Sequence, residues 1–172
     1  VKWTIAVSVL TVLAFQTLPS RAAPSTPAAA HVITDFEDFP DSIWVNPIKH
    51  GDIVIESNTK KISVDGVGVP SAPLKGKFLQ IYNMEGTDVV TKITFPAQAS
   101  GFSFDFEMRG FNGTYPTYIC RYSNGTEKKI SFIRQTGTAK CVGLSGTEAT
   151  GVDIVLPAKL YLFFYLDNIV AL

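Results

Sequence analysis

Residues 160–172, LYLFFYLDNIVAL, decide the fold. A strand places alternate side chains on opposite faces. One face of this run would carry Leu160, Leu162, Phe164, Leu166, Val170 and Leu172. The other would carry Tyr161, Phe163, Tyr165, Ile169 and Ala171. Both faces are apolar, so the run belongs deep in a fold. It is too short for a membrane helix, which needs about 20 apolar residues. Its aromatic and β-branched content favours a strand. Asp167-Asn168 interrupts it, and a carboxylate there needs a hydrogen-bond donor, an ion pair or a metal.

The remaining composition agrees with a β-rich chain. Twelve Phe and six Tyr can fill a sizeable core, and 15 Lys+Arg balance 15 Asp+Glu. No basic tract points to nucleic acid. After the N-terminus, no long window repeats apolar residues at helical spacing. Residues 1–22 read as a cleaved secretory signal peptide: Lys2, an apolar run over 4–18, then Ser20-Arg21-Ala22 as a small-x-small site. Residues 23–31 begin APSTPAAA and read as a disordered Pro/Ala leader. The domain is expected over 32–172, extracellular and without a membrane span.

Within it, strands are expected at 32–36, 52–56, 60–64, 78–82, 89–95, 100–107, 117–123, 127–134, 138–142, 152–156 and the final run, with a short extended piece at 43–45. The clearest alternation puts Phe102, Phe104 and Phe106 inward and Ser103, Asp105 and Glu107 outward, a half-buried antiparallel strand. Asn124-Gly125 is a hairpin signal; a two-residue loop would pair Cys120 with Lys129. About ten short strands separated by turns predict an all-β, two-sheet antiparallel sandwich.

The chain has two cysteines, and a secreted chain should pair them as Cys120–Cys141. That pairing constrains the topology. Were 117–123, 127–134 and 138–142 neighbours in one sheet, the cysteine strands would lie about 9.5 Å apart. A disulfide spans Cα atoms up to about 7 Å. So 138–142 must leave that sheet or fold back across its rim. Asn112-Gly113-Thr114 and Asn124-Gly125-Thr126 are sequons on expected turns, making Asn112 and Asn124 candidate glycosylation sites.

The two ends of the domain carry short motifs: ITDFEDF over 33–39 and LDNIVAL over 166–172. An opening F-E-D and a closing L-D-N-I resemble the jelly-roll domains of secreted proteins, among them MAM-type adhesion domains and galactose-binding-like carbohydrate-binding modules. The resemblance implies a jelly roll with adjacent first and last strands. It also implies a structural calcium ion held by Glu37 and Asp167, with Asp35 or Asp38 as further ligands. Calcium takes six to eight oxygen ligands. The other reading is that Asp167 accepts backbone N–H groups at a turn or bulge.

Signals for catalysis are sparse. His31 and His50 read as turn residues, and Ser145 lacks the spacing of a nucleophile elbow. Asp105 and Glu107 share a wet strand face, an arrangement commoner as solvated surface than as a glycosidase pair. Aromatics near loops have more to offer: Trp44, Tyr82, Phe111, Tyr115 and Tyr118 could stack on sugar rings or anchor a protein. The expectation is therefore a secreted, non-catalytic binding or adhesion module, with carbohydrate as one ligand class. The alternatives are a structural or host-interaction protein that binds a protein partner, and a small polysaccharide hydrolase.

Overall fold

A computed structural model describes residues 32–66, 73–74, 76–84, 86–96, 100–110, 113–143, 146–158 and 161–172. The expected signal peptide and leader lie outside the described residues, as do Phe111, Asn112 and Ser145. The described residues form thirteen strands: β1 (Val32–Thr34), β2 (Ser42–Ile43), β3 (Ile48–His50), β4 (Ile53–Ser57), β5 (Ile62–Asp65), β6 (Phe78–Asn83), β7 (Val89–Thr94), β8 (Gly101–Arg109), β9 (Thr117–Tyr122), β10 (Glu127–Ser131), β11 (Thr136–Val142), β12 (Ala149–Leu156) and β13 (Leu162–Ala171). The strand count exceeds the expected ten mainly through very short elements. Among them β3 carries no alternation long enough to read. It is defined by pairing with β4 across Gly51-Asp52.

The strands form two antiparallel sheets, a jelly-roll sandwich. The seven-stranded sheet runs β11-β8-β13-β6-β5-β2, with β1 added to β13; the other runs β10-β9-β12-β7-β4-β3. The closing strand β13 therefore sits inside its sheet, between β8 and β6. The opening strand joins it, Val32 opposite Val170 and Thr34 opposite Ile169. Between the sheets lies an aromatic core. Phe104 packs edge-on to Tyr118 at 5.5 Å, and Phe106 meets Phe132 at 4.5 Å. The FED motif closes one end of it: Phe36 and Phe39 are fully buried, rings 5.1 Å apart. Residues 35–36 are not strand as expected. Phe36 takes φ 63°, and its N–H donates to Thr34 Oγ1 at 3.0 Å, which turns the chain inward.

Strict alternation in β13 fails after Asp167. Asp167 faces Asp105, but Val170 faces Ser103, so one extra residue enters the strand. Asn168 sits at φ 50°, a left-handed position that Asn tolerates better than most residues. The bulge moves every later side chain to the other face. Ile169 and Ala171 point into the core, while Val170 is half-buried and Leu172 exposed. Val170 and Leu172 therefore do not share the face of Leu162, Phe164 and Leu166, as unbroken alternation would require.

The disulfide joins Cys120 of β9 to Cys141 of β11, with Cα atoms 5.6 Å apart. It links the two sheets, so the strand after the hairpin does leave for the opposite layer. Two tyrosines flank it. Tyr118 O–H donates to the Lys140 carbonyl at 3.2 Å and Tyr122 O–H to the Val142 carbonyl at 3.0 Å. The hairpin register differs by one from the expected two-residue loop: Cys120 pairs with Lys128, not Lys129. Ser123-Asn124-Gly125 form a three-residue loop. The Gly125 N–H donates to the Tyr122 carbonyl at 2.9 Å, and Gly125 takes φ 79°. That is a turn followed by a glycine bulge, the next commonest hairpin solution.

Candidate functional site

The outer face of the seven-stranded sheet is the notable surface. Alternation in β6 sends Leu79 and Ile81 into the core and leaves Phe78, Gln80 and Tyr82 outward. In β13 the outward residues before the bulge are Phe163 and Tyr165. Registration then sets rows. Phe163 lies between Tyr82 and Arg109, and Tyr165 lies between Gln80 and Glu107, with Ser63 beyond Gln80.

The first row is an aromatic belt. The Phe163 and Tyr82 rings meet edge-on at 5.2 Å and 90°. Trp44 extends it, its ring 5.2 Å from Tyr82 and tilted by 46°. Trp44 is 50% exposed, whereas Tyr82 and Phe163 are half-buried. Its backbone is at φ 57°, a conformation rare for a bulky residue and one that concentrates at functional positions. Two residues on, Asn46 anchors the segment. Its Nδ2 donates to the carbonyls of Ser57 at 2.6 Å and Thr59 at 3.0 Å, and its Oδ1 accepts the Ser57 N–H at 3.0 Å.

The second row is polar and preorganised. Tyr82 O–H donates to Gln80 Oε1, and Gln80 Nε2 donates to Asp65 Oδ1 at 2.5 Å. Arg109 Nε donates to Glu107 Oε1 at 2.7 Å, and its guanidinium carbon lies 5.5 Å over the Tyr165 ring. Gln80, Asp65 and Glu107 are buried although they lie on an outward face. Burial, then the neighbouring Tyr165, holds the Tyr82 phenol above its ordinary range; burial likewise raises that of Tyr165. Both therefore stay neutral donors at physiological pH. The hydrogen bond to Glu107 raises the Arg109 pKa and keeps the guanidinium charged. At the far end Leu74 covers Phe78 and Tyr165, so the face is sealed at one end and open at the Trp44 end.

The other expected ligand-binding residues fall elsewhere. Tyr118 is buried and spends its hydroxyl on β11, so it packs with the core and does not stand exposed beside a loop. Its inward parity with Cys120 and Tyr122 outweighs its nearness to a loop. Tyr115 is exposed and stands apart from the Trp44 belt among the described ring contacts. Asn124 is exposed at the hairpin tip, its Oδ1 accepting Thr126 N–H at 3.0 Å and Thr126 Oγ1–H at 2.7 Å.

Of the acidic residues singled out for calcium, Asp35, Glu37 and Asp38 follow β1 and Asp167 lies in β13. Glu37 Oε1 accepts the Lys77 N–H at 2.9 Å and fills the space beside Gly76, where a Cβ would stand 1.6 Å from it. Asp35 Oδ1 accepts the Glu37 N–H at 3.2 Å, and exposed Asp38 lies 3.8 Å from His50. Asp167 belongs to the bulge: its Oδ1 accepts the Asn168 N–H at 2.7 Å, and Asn168 Nδ2 donates to Asp105 Oδ2 at 3.2 Å. Among the described residues, no group of three or more His, Cys, Asp or Glu side chains is arranged to hold a metal ion.

No family model and no curated protein matches this chain. Solved structures do. A chain of an exo-β-agarase is similar over 81% of this chain, at 12% identity and a TM-score of 0.57. This chain corresponds to 24% of that enzyme's chain. The family 11 carbohydrate-binding module of the cellulosomal cellulase Lic26A-Cel5E of Clostridium thermocellum is similar at 14% identity and a TM-score of 0.45, covering 84% of this chain and 95% of that one. A carbohydrate-binding module, TmCBM61, in complex with β-1,4-galactotriose gives 10% identity and 0.44, covering 68% and 85%. At such identities the likeness is one of fold alone.

Proposed function

We propose that this chain is a secreted, non-catalytic binding module that takes a neutral carbohydrate on the outer face of its seven-stranded sheet. The observation that carries the reading is the Trp44–Tyr82–Phe163 belt beside the Asp65–Gln80 and Glu107–Arg109 pairs. Aromatic rings offer an apolar surface to the C–H face of a sugar. Planar amide, carboxylate and guanidinium groups, held in place before binding, meet vicinal hydroxyls two at a time. Glu107 neutralises Arg109 and the Asp65 carboxylate is held by the neutral Gln80 amide, which disfavours a polyanion as ligand. The inter-sheet disulfide supports an oxidising compartment.

The test is affinity electrophoresis and calorimetry of the whole chain against agarose, mixed-linkage glucan, galactan and mannan. Binding to at least one is expected, weakened about tenfold or more in Trp44→Ala and in Tyr82→Ala, in line with aromatic anchors elsewhere. No retention on any polymer, or wild-type retention by both variants, overturns the proposal.

A further inference from the structure

A second site lies on the side of the sandwich, away from the sugar face. The edge strands of the two sheets, β10 and β11, end one above the other there. Between them opens a cleft of about 350 Å³, within the range of small-molecule sites. Phe106, Tyr118 and Phe132 form its floor, their rings packed at 4.5 and 4.8 Å around Phe132. Ile130 lines one wall. Ile133, 78% exposed, stands at the mouth.

The rim is basic. Arg134 and Lys140 line it, and the segment around them, residues 127–142, holds four cations, Lys128, Lys129, Arg134 and Lys140, against one acid, Glu127, while the chain as a whole has 15 of each sign. Arg134 is exposed and lines one side of the cleft. Gly137 lacks the side chain that would displace it: a Cβ there would stand 3.2 Å from Arg134 Cδ. Neither the Arg134 guanidinium nor the Lys140 ammonium makes an ion pair with any described residue. The Arg134 guanidinium, without an ion-pair partner among the described residues, thus stands beside an aromatic floor. Addition of a strand along β11 is disfavoured, because the carbonyls of Lys140 and Val142 already accept from Tyr118 and Tyr122.

We propose that this cleft binds a small amphipathic organic anion: one aryl or short alkyl group carrying a carboxylate. The apolar group rests on Phe106, Tyr118 and Phe132, and the carboxylate takes the forked N–H donors of Arg134. Lys140 adds charge without fixed geometry. The site is independent of the sugar face, so either can fail without the other.

Calorimetry of the whole chain with 4-phenylbutyrate and its neutral analogue 4-phenylbutanol tests this. The acid is expected to bind one to one, with the alcohol about tenfold weaker or more. Arg134→Gln should weaken the acid about tenfold and leave the alcohol unchanged. Lys92→Gln, on the outer face of the other sheet, should change neither. Arg134 and Lys92 are surface residues, so circular dichroism should show both variants folded. The proposal is overturned by no saturable binding up to about 10 mM, by equal affinity for acid and alcohol, by an Arg134→Gln variant that binds the acid normally, or by an equal loss in Lys92→Gln.

Discussion

Replacing both cysteines, Cys120→Ala with Cys141→Ala, removes the disulfide that cross-links the two sheets. The cysteines are 21 residues apart in sequence. Releasing a loop of that size restores unfolded-chain entropy worth about 3 kcal/mol in the chain-entropy treatment. Both sulfurs are fully buried, so their loss also leaves a small void, adding to the cost. For a domain of this size, the sum should lower the Tm by about 10 °C. Calorimetry and urea unfolding, followed by tryptophan fluorescence, read it directly. The m-value should rise, because the unfolded state without the cross-link exposes more surface. The tyrosines beside the bridge make the test sharper. Tyr118→Phe removes the hydroxyl that holds the Lys140 carbonyl, costing about 1 kcal/mol alone. In the cysteine-free background it should cost measurably more, since it then acts at a seam with one restraint fewer. A Tm shift below about 3 °C, an unchanged m-value, or strict additivity with Tyr118→Phe would refute this account of the seam.

Four further outcomes follow from the geometry. Gly151→Ala should destabilise by about 2 kcal/mol or more: its Cβ would stand 2.3 Å from the Ile93 carbonyl and 2.5 Å from Arg121 Nη2, and chemical denaturation measures it. Asn168→Ala should lose about 1–2 kcal/mol, from the left-handed backbone and the lost bond to Asp105, whereas Asn168→Gly should recover the backbone part. Asp153 lies buried against Arg121 at 2.8 Å, a contact too poorly aligned to count as a hydrogen bond, and burial, outweighing the attraction of Arg121 and Lys92, raises its pKa above the ordinary 3.8. The folded state then holds this proton more tightly than the unfolded one. Its contribution to stability must fall as pH rises from near 3.8 through the raised value, so subtracting the pH–stability curve of Asp153→Asn from that of wild type should give a declining difference; a rising one refutes the assignment. Expressed in a eukaryotic secretory host, the chain should carry a glycan on Asn124, seen as a mass lost in Asn124→Gln.

The sandwich was legible because its carriers are local. Alternation over 100–107 and the doubly apolar closing run each fix a strand without reference to partners. The departure of β11 to the opposite sheet was legible for a different reason: a disulfide cannot span two strand spacings. What escaped the sequence depends on single backbone angles. Asn168 could have continued the strand or broken its parity, and only the register against Ser103 and Asp105 distinguishes them. At Asn124-Gly125 the same four residues support either a two- or a three-residue loop. Tyr118 lies buried and not out by the loop because nearness to a loop carries less weight than parity with Cys120, which was itself available in the sequence.

The outer aromatic face escaped for a more general reason. A strand apolar on both sides reads as buried on both sides, and β13 is so for half its length only. Leu74 covers Tyr165 and Phe78, with Phe163 at the edge of that cluster, but Phe163 also meets Tyr82, and Tyr82 meets the half-exposed Trp44. Composition cannot separate a ring that is capped from one that forms a platform, since both are aromatic at the same parity. The signal that does separate them lies one strand away. Gln80 stands between Leu79 and Ile81 in β6, and a glutamine in a central strand costs free energy unless its outward neighbours are polar. Asp65 and Tyr82 supply those partners. Polar residues facing outward from interior strands, next to aromatics of the same parity, therefore mark a face built to meet something other than a second apolar layer.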